Sequence, residues 1–201
     1  MSSDPAKRGG RGGLLVLASP SGGGKSTLKE RLVREFPELR FSVSATTRAP
    51  RPGEVDGRDY HFLSDSEFDR KLREGEFLEW EAVYAGSRYG TLRREVENII
   101  EKGYFTLLDI DVNGAERIKE LFGAKALTLY IRPPSIDALH ERLLARGTDT
   151  PEQIAQRLER ASMEMEKASR FDATVINDEL DRAYAELSDI VRDFTSRGAP
   201  A

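Results

Sequence analysis

The sequence contains no cysteine, only two histidines and no apolar run long enough to cross a membrane. The absence of cysteine excludes disulfides and thiolate metal sites, and it suits a reducing cytosol, so we expect a cytoplasmic protein. The two histidines, His61 and His140, do not have the spacing of metal ligands, and we interpret both as structural. Without a membrane-spanning run, we expect no membrane partner.

An excess of positive charge is also absent. The 201 residues carry a formal net charge of −4, which does not favour a general nucleic-acid-binding surface. A hydrophobic content of 38% beside 33% charged residues is typical of a globular enzyme and not of a disordered chain. The length predicts one α/β domain, which we place at residues 14–201. Residues 1–13, with two Arg-Gly-Gly units, are predicted to form a disordered tail.

A glycine-rich stretch connects an apolar run to a helical pattern. The run Leu14–Ala18 is typical of a buried strand, and apolar residues recur with helical spacing after the stretch. Strand, glycine-rich loop and helix in this order are typical of a P-loop, whose backbone amides surround phosphate oxygens. We predict that Lys25 contacts the β- and γ-phosphates and that Ser26 ligates Mg²⁺. The stretch consists of Ser19, Pro20, Ser21, Gly22, Gly23, Gly24, Lys25, Ser26 and Thr27. Ser19 stands where the consensus has its first glycine.

Strand and helix patterns alternate along most of the chain. We therefore expect an α/β fold of the P-loop NTPase type, with a mainly parallel sheet, helices on both faces and the ligand site at the carboxyl ends of the strands. Residues 41–91 break the alternation, and we interpret them as an inserted lobe for a second substrate. Within the lobe we predict a strand over 41–46, a turn over 86–90 and a helix capped by Thr91. Residues 142–157 are interpreted as a small lid.

Two capping boxes predict the starts of helices. Ser64 and Glu67 have the required spacing before one helical pattern, and Thr150 and Gln153 have it before another. Pro151 stands at the first position of the second helix, which suits its fixed backbone angle.

Two carboxylates follow a buried-strand pattern over residues 104–111. Asp109 and Asp111 close this apolar run, which is how a P-loop enzyme holds Mg²⁺ or its waters. The sequence leaves open which of the two serves Mg²⁺ and which serves the nucleoside.

Arginines cluster in two segments. Arg48 and Arg51 share a loop with Tyr60, and guanidinium and phenol groups suit a second phosphate site. The other cluster, near the lid, contains Arg142, Arg146 and Arg157. Arginines that close over a transferred phosphoryl group stabilise its developing charge. Each arginine taken alone is more typical of a solvated surface.

Glu79 interrupts an apolar strand pattern beside Trp80. Strand alternation alone could point this carboxylate to solvent. In a binding site it would accept two hydrogens from one edge of a base. Guanine offers such donors at N1 and N2, whereas adenine has no N1 donor.

The motifs together resemble those of bacterial soluble-type guanylate kinases, which are P-loop nucleoside monophosphate kinases. The resemblance covers about residues 14–195. It rests on the P-loop, on Leu108-Asp109-Ile110-Asp111, on Arg146-Gly147-Thr148, and on Thr46-Thr47-Arg48-x-x-Arg51-x-x-Glu54-x-x-Gly57-x-x-Tyr60-x-Phe62-Leu63. It implies transfer of the γ-phosphoryl group of ATP to GMP with Mg²⁺, which gives ADP and GDP, and a core with a GMP-binding lobe and a lid.

The resemblance also implies roles for individual residues. The GMP phosphate would be held by Arg48, Arg51, Tyr60 and Tyr89. The nucleoside would be bound by Ser44, Glu79, Gly90 and Thr91, with Asp109 or Asp111 nearby. The catalytic groups would be Lys25, Arg51, Arg146 and Arg157. ATP would also contact Arg142 and Asn177, and Mg²⁺ would be held by Ser26 and, through water, by Asp109.

Two alternatives differ in class from this hypothesis. A guanylate-kinase-like module without activity would bind phosphopeptides at the GMP-type site, but such a module need not keep Lys25, Ser26 and the lid arginines. The second alternative is another P-loop kinase that phosphorylates a different acceptor. The presence of Ser44, Glu79 and Thr91 together does not favour this alternative. We expect ATP and GMP as small-molecule partners, and the resemblance leaves a homo-oligomer possible.

Overall fold

The computed structural model describes residues 12–82, 86–147 and 149–198. The predicted tail lies outside these ranges, apart from its last two residues. The strands are β1 (Leu14–Ala18), β2 (Leu39–Phe41), β3 (Ala45–Thr46), β4 (His61–Phe62), β5 (Phe77–Ala82), β6 (Arg88–Leu92), β7 (Phe105–Asp109), β8 (Ala126–Arg132) and β9 (Ala173–Ile176). The α-helices are α1 (Lys25–Glu35), α2 (Asp65–Arg73), α3 (Arg93–Glu101), α4 (Val112–Phe122), α5 (Ile136–Arg146), α6 (Pro151–Glu166) and α7 (Leu180–Arg197). Short 3₁₀ helices span Gly123–Lys125 and Lys167–Arg170.

A five-stranded sheet forms the centre of the molecule. Its strand order is β2-β7-β1-β8-β9, and every neighbouring pair is parallel. Alternate residues of β1 face opposite sides: Leu15 and Leu17 pack with residues of α1 and α7, and Leu14 and Val16 pack with residues of α3 and α4. Helices therefore cover both faces of a parallel sheet, which confirms the predicted fold class.

A smaller sheet is built from β3, β4, β5 and β6, in the order β4-β3-β6-β5. The β3–β4 pair is parallel, and β6 runs antiparallel to both β3 and β5. One face packs on α2, where the Phe68 ring stacks on Phe77 with centroids 4.5 Å apart. The other face is turned toward the carboxyl end of β7, where the cleft described below opens.

Three predictions for this region differ from the structure. Residues 88–90, predicted to lie in a turn, belong to β6, because their backbone pairs with both β3 and β5. Thr91 also lies in β6 and does not cap a helix: α3 begins at Arg93, after Leu92. The strand predicted over 41–46 is divided between the two sheets, since Phe41 ends β2 and Ala45 begins β3.

The predicted helix starts are confirmed. Ser64 and Glu67 form a reciprocal capping box before α2, and Thr150 and Gln153 form another before α6, with Pro151 at its first position. The α5 helix ends at Arg146, and its C-cap is Gly147, whose φ of 64° is left-handed. Among the helices of the described residues, none combines the length and the apolar character that crossing a membrane requires.

Candidate active site

The glycine-rich loop lies between the carboxyl end of β1 and the first residue of α1. Gly22 and Gly24 have φ angles of 90° and 87°, which other residues rarely adopt. A Cβ atom on Gly23 would lie 2.0 Å from the Ser19 hydroxyl, so the Ser19 side chain is folded into the loop. That hydroxyl donates to the Pro20 carbonyl at 3.0 Å. The serine at the first consensus position is therefore accommodated by a close approach to glycine.

Lys25 lies between the P-loop and β7. Its ammonium group is 2.7 Å from Asp109 Oδ1 and donates to the Ile110 carbonyl at 3.0 Å. The second Asp109 oxygen is 2.9 Å from the ammonium group of Lys29. Burial alone would raise the pKa of Asp109, but the two lysines lower it to about 2. Asp109 is therefore ionised throughout the physiological range, and it holds Lys25 beside the loop.

A cleft of about 300 Å³ opens between the P-loop, the smaller sheet and α6. It brings together eleven residues predicted from the sequence: Ser19, Ser21, Lys25, Ser44, Tyr60, Glu79, Tyr89, Gly90, Asp109, Asp111 and Arg157. It is also lined by Glu81, Ile110, Arg160 and Glu164, to which the sequence analysis gave no role.

Glu79 of β5 lines the cleft, and its side chain is buried. The Thr91 hydroxyl of β6 donates to Glu79 Oε1 at 2.5 Å. A Cβ atom on Gly114 would lie 2.7 Å from Glu79 Oε2, so a glycine in α4 makes room for this carboxylate. Burial raises the pKa of Glu79 to about 7, the Thr91 bond opposes this shift and the nearby Asp111 charge adds to it. Among the described residues no cation is paired with Glu79.

A second part of the site contains the predicted phosphate-binding residues. Arg48 binds both carboxylate oxygens of Glu54, at 3.0 and 2.9 Å, and its Nε donates to the Tyr89 hydroxyl at 3.2 Å. The Tyr60 and Tyr89 rings meet edge to face with centroids 5.8 Å apart. Arg51 has an exposed side chain and does not line the cleft, although its amide also donates to Glu54. Glu54, which was quoted only as part of a motif, therefore orders this loop.

The predicted residues of α5 and α6 are divided among three places. Arg157 donates to the Ser21 hydroxyl at 2.5 Å and pairs with Asp149 at 3.0 Å, so it contacts the P-loop. Arg142 lies behind the loop, where it donates to the Asn177 carbonyl at 2.7 Å. The Asn177 amide in turn donates to the Gly23 carbonyl at 2.8 Å. Arg146, the last residue of α5, is exposed and outside the cleft.

The remaining predicted residues also lie outside the cleft lining. Ser26 and Thr27 are exposed in the first turn of α1. Thr91 lies behind Glu79 and is buried.

Arg160 is the main site residue that the sequence analysis missed. Its guanidinium is 3.1 Å from Asp111 Oδ2 and 2.7 Å from Glu164. Asp111 is the N-cap of α4, where its other oxygen accepts from the Gly114 amide at 2.8 Å. The spacing of Arg157, Arg160 and Glu164 places them on one helical face, and this was the available signal.

Comparison with known proteins identifies the family. The guanylate kinase family model matches residues 11–194. A guanylate kinase of Salinibacter ruber is 50% identical over 183 residues, which cover 91% of this chain and 97% of the relative. One of Rubrobacter xylanophilus is 44% identical over 190 residues, which cover 94% and 98%. The crystal structure of guanylate kinase from Anaplasma phagocytophilum is similar, with a TM-score of 0.76, 33% identity and coverage of 92% of this chain and 87% of that one. The chain therefore belongs to the guanylate kinase family.

Proposed function

We propose that GMP binds in the cleft with its base at Glu79, while ATP binds at the P-loop. As a guanylate kinase, the chain catalyses the ATP-dependent phosphorylation of GMP to GDP. The observation that carries the residue assignment is the buried carboxylate of Glu79, which no cation among the described residues compensates. A phosphopeptide-binding module without activity is not favoured, because the curated relatives are kinases by name and the P-loop lysine is present.

The guanine edge matches the hydrogen-bonding groups around Glu79. Glu79 would accept hydrogen bonds from N1–H and from the N2 amino group, which stabilises its ionised form. Adenine would leave one carboxylate oxygen buried and unpaired, and a site of this kind rejects such an analogue strongly. The nucleoside would be held further by Ser44, Gly90 and Asp111, and Thr91 would act through its bond to Glu79.

The GMP phosphate would bind at Arg48, Arg51, Tyr60 and Tyr89. Arg48 is already oriented by Glu54 and by the Tyr89 hydroxyl, so little ordering is needed when the phosphate arrives. Arg51 is exposed, so its contribution requires that its loop move toward the cleft.

ATP would be held by the P-loop amides and by the first turn of α1. Lys25 would exchange its bond to Asp109 for phosphate oxygens. On the adenine side we place Arg142 and Asn177, whose bonds behind Gly23 connect the loop to the end of β9. Thr27, next to Ser26 at the helix N-terminus, would contribute to the same phosphate site.

The donor groups at the P-loop fit a magnesium ion. Ser26 offers an exposed hydroxyl, and Asp109 is ionised because its pKa is about 2. Mg²⁺ is usually held by few protein oxygens together with water and substrate phosphates, so a hydroxyl and one carboxylate suit it. We assign Ser26 as a ligand and Asp109 as a group acting through water. When bound, the ion neutralises phosphate charge.

Transfer requires alignment and charge neutralisation more than covalent chemistry. Lys25, Arg51, Arg146 and Arg157 would neutralise the charge that develops during transfer. Arg157 already contacts the P-loop, whereas Arg146 is exposed. We therefore propose that the GMP lobe, about residues 41–91, and the lid, about residues 142–157, close when both nucleotides bind. Closure also excludes water, which would otherwise hydrolyse ATP.

We further propose a cytoplasmic enzyme, with a homo-oligomer as one possible assembly. The test of the function is ADP release from ATP·Mg²⁺ with GMP, AMP, UMP, CMP and dTMP in parallel. Turnover with GMP alone, lost in Lys25→Ala, is the expected result. Comparable turnover with AMP would contradict the assignment of Glu79 to guanine. Light scattering of the same protein gives the oligomeric state.

A further inference from the structure

One face of the smaller sheet carries two carboxylates in a row. Glu79 and Glu81 are two residues apart on β5, so their side chains share a face, while Trp80 points to the other face, toward Phe68. The pairing register places Glu79 opposite Thr91 and Glu81 opposite Tyr89 on β6. The pair of Glu81 and Tyr89 is therefore the next one, on this face of the sheet, to the pair of Glu79 and Thr91, which would bind the base.

The Glu81 side chain lines the cleft and is half-buried. Every other cleft-lining carboxylate has a hydrogen bond or an ion pair, as Glu79, Asp109, Asp111 and Glu164 illustrate. Within residues 12–82, 86–147 and 149–198, no such bond to the Glu81 side chain is found. A half-buried carboxylate that lines the cleft and has no protein partner there can accept a hydrogen bond from a bound ligand.

A nucleoside monophosphate would supply donors at this position. With guanine at Glu79 and the phosphate at Arg48 and Tyr89, the ribose would lie between these two positions, within reach of Glu81, which stands between Glu79 and Tyr89 on the same face. The ribose hydroxyls are the hydrogen-bond donors of GMP that the other contacts do not use. Carboxylates recognise the ribose 2′-hydroxyl in the same way in other nucleotide sites.

We propose that Glu81 binds the ribose of the acceptor nucleotide and makes the enzyme prefer GMP to dGMP. This inference rests on the proposed placement of the base at Glu79 and of the phosphate at Tyr89. The carboxylate accepts a hydrogen bond from the 2′-hydroxyl, which dGMP lacks. Because the site is partly exposed, the unmade bond to a charged acceptor corresponds to a preference of about tenfold.

The test compares kcat/KM for GMP and dGMP in the full-length enzyme and in its variants. The unmodified enzyme is expected to prefer GMP about tenfold. Glu81→Ala is expected to bring the ratio near one, through a higher KM for GMP and not for dGMP. Glu81→Gln keeps an amide oxygen that accepts the same bond, so an intermediate ratio is expected. The matched control is Glu101→Ala, an exposed carboxylate at the end of α3 outside the cleft, which should keep the original ratio.

Two results would overturn the proposal. The first is an unchanged GMP-to-dGMP ratio in Glu81→Ala whose thermal melting is normal. The second is an equal decrease of KM for both nucleotides, which would show that Glu81 acts only by repelling the phosphate. Glu79→Gln, measured with the same substrates, separates this inference from the base assignment. A large, equal loss for both nucleotides supports the base assignment, and no loss would overturn both.

Discussion

The Thr91 hydroxyl donates to the Glu79 carboxylate at 2.5 Å, across a register pair that joins β6 to β5. The bond fixes one oxygen of a carboxylate that lines the cleft. Burial nevertheless raises the pKa of Glu79 to about 7, so the group changes its charge near neutral pH. A carboxylate held in this way binds a base strongly only when the base supplies donors, and the first three predictions follow from this property.

Glu79→Gln is expected to lower kcat/KM for GMP by about 10²- to 10³-fold, because the amide presents an N–H group where guanine also presents a donor. The KM for ATP should change little, since the Glu79 side chain bonds to Thr91 and not to a P-loop residue. Steady-state kinetics with each substrate varied in turn gives both values. GMP kinetics like those of the unmodified enzyme would remove Glu79 from the base site.

The KM for GMP is expected to decrease as the pH rises from about 6 to about 8. Ionised Glu79 is the form that accepts both guanine donors, and its pKa of about 7 in the nucleotide-free protein means that binding must displace a proton at lower pH. The GMP phosphate titrates in the same range, so the profile is compared with that of Glu79→Gln. Identical pH profiles of the two proteins would contradict the prediction.

Glu79→Gln is also expected to stabilise the folded protein at alkaline pH. The folded-state pKa is raised from 4.5 to about 7, so the folded chain binds this proton more tightly than the unfolded chain. Burying the ionised Glu79 lowers the free energy of unfolding. This loss is absent at pH values below the pKa of Glu79 in the unfolded chain, and it grows as the pH rises past that value. We expect the free energy of unfolding to rise by about 1–3 kcal/mol at about pH 8, and the gain to vanish near pH 4. Urea titrations at both pH values measure the difference in the free energy of unfolding between the variant and the unmodified protein. A stabilisation that is independent of pH would mean that the ionisation of Glu79 is not its cause.

The sequence predicted those parts of the structure that depend on local chemistry. The P-loop needs a strand, glycines, Lys25 and a helix in direct succession, so its whole signal lies in one stretch. The capping boxes at Ser64 and Thr150 are equally local, because each joins a side chain to an amide three residues away. The roles of the arginines and of Tyr89 were predicted from family motifs, because no local pattern places these residues in one site.

The parts that were missed depend on distant partners. The segment with Gly90 is predicted as a turn from its glycines, but it becomes a strand because β3 and β5 both offer it backbone partners. Arg160 acquires its place in the site from Asp111, which is 49 residues away in the sequence. Such pairings are fixed by tertiary packing and have no signature in a short window.

Lys25→Met is expected to lower kcat by about 10²- to 10³-fold, because the side chain that would bind the transferred phosphoryl group is lost. The matched variant is Lys29→Met. Both lysines pair with Asp109, at 2.7 and 2.9 Å, but only Lys25 belongs to the P-loop. Lys29→Met should therefore lower kcat much less, although it also removes a positive neighbour of Asp109. Equal losses in rapid-quench measurements of phosphoryl transfer would mean that the lysines act mainly through Asp109.

Arg160→Gln is expected to raise the KM for GMP about three- to fivefold and to leave the KM for ATP unchanged. The variant removes the ion pair between Arg160 and Asp111. The uncompensated charge of Asp111 then opposes the ionisation of the nearby Glu79 more strongly. Arg170→Gln is the matched control, because Arg170 pairs with Glu116 on the surface and does not line the cleft. In the Asp111→Asn background the Arg160 substitution should have a smaller effect on GMP, since only the charge of Glu164 is then left for Arg160 to balance. Additive effects of the two substitutions would show that Arg160 acts on GMP independently of Asp111.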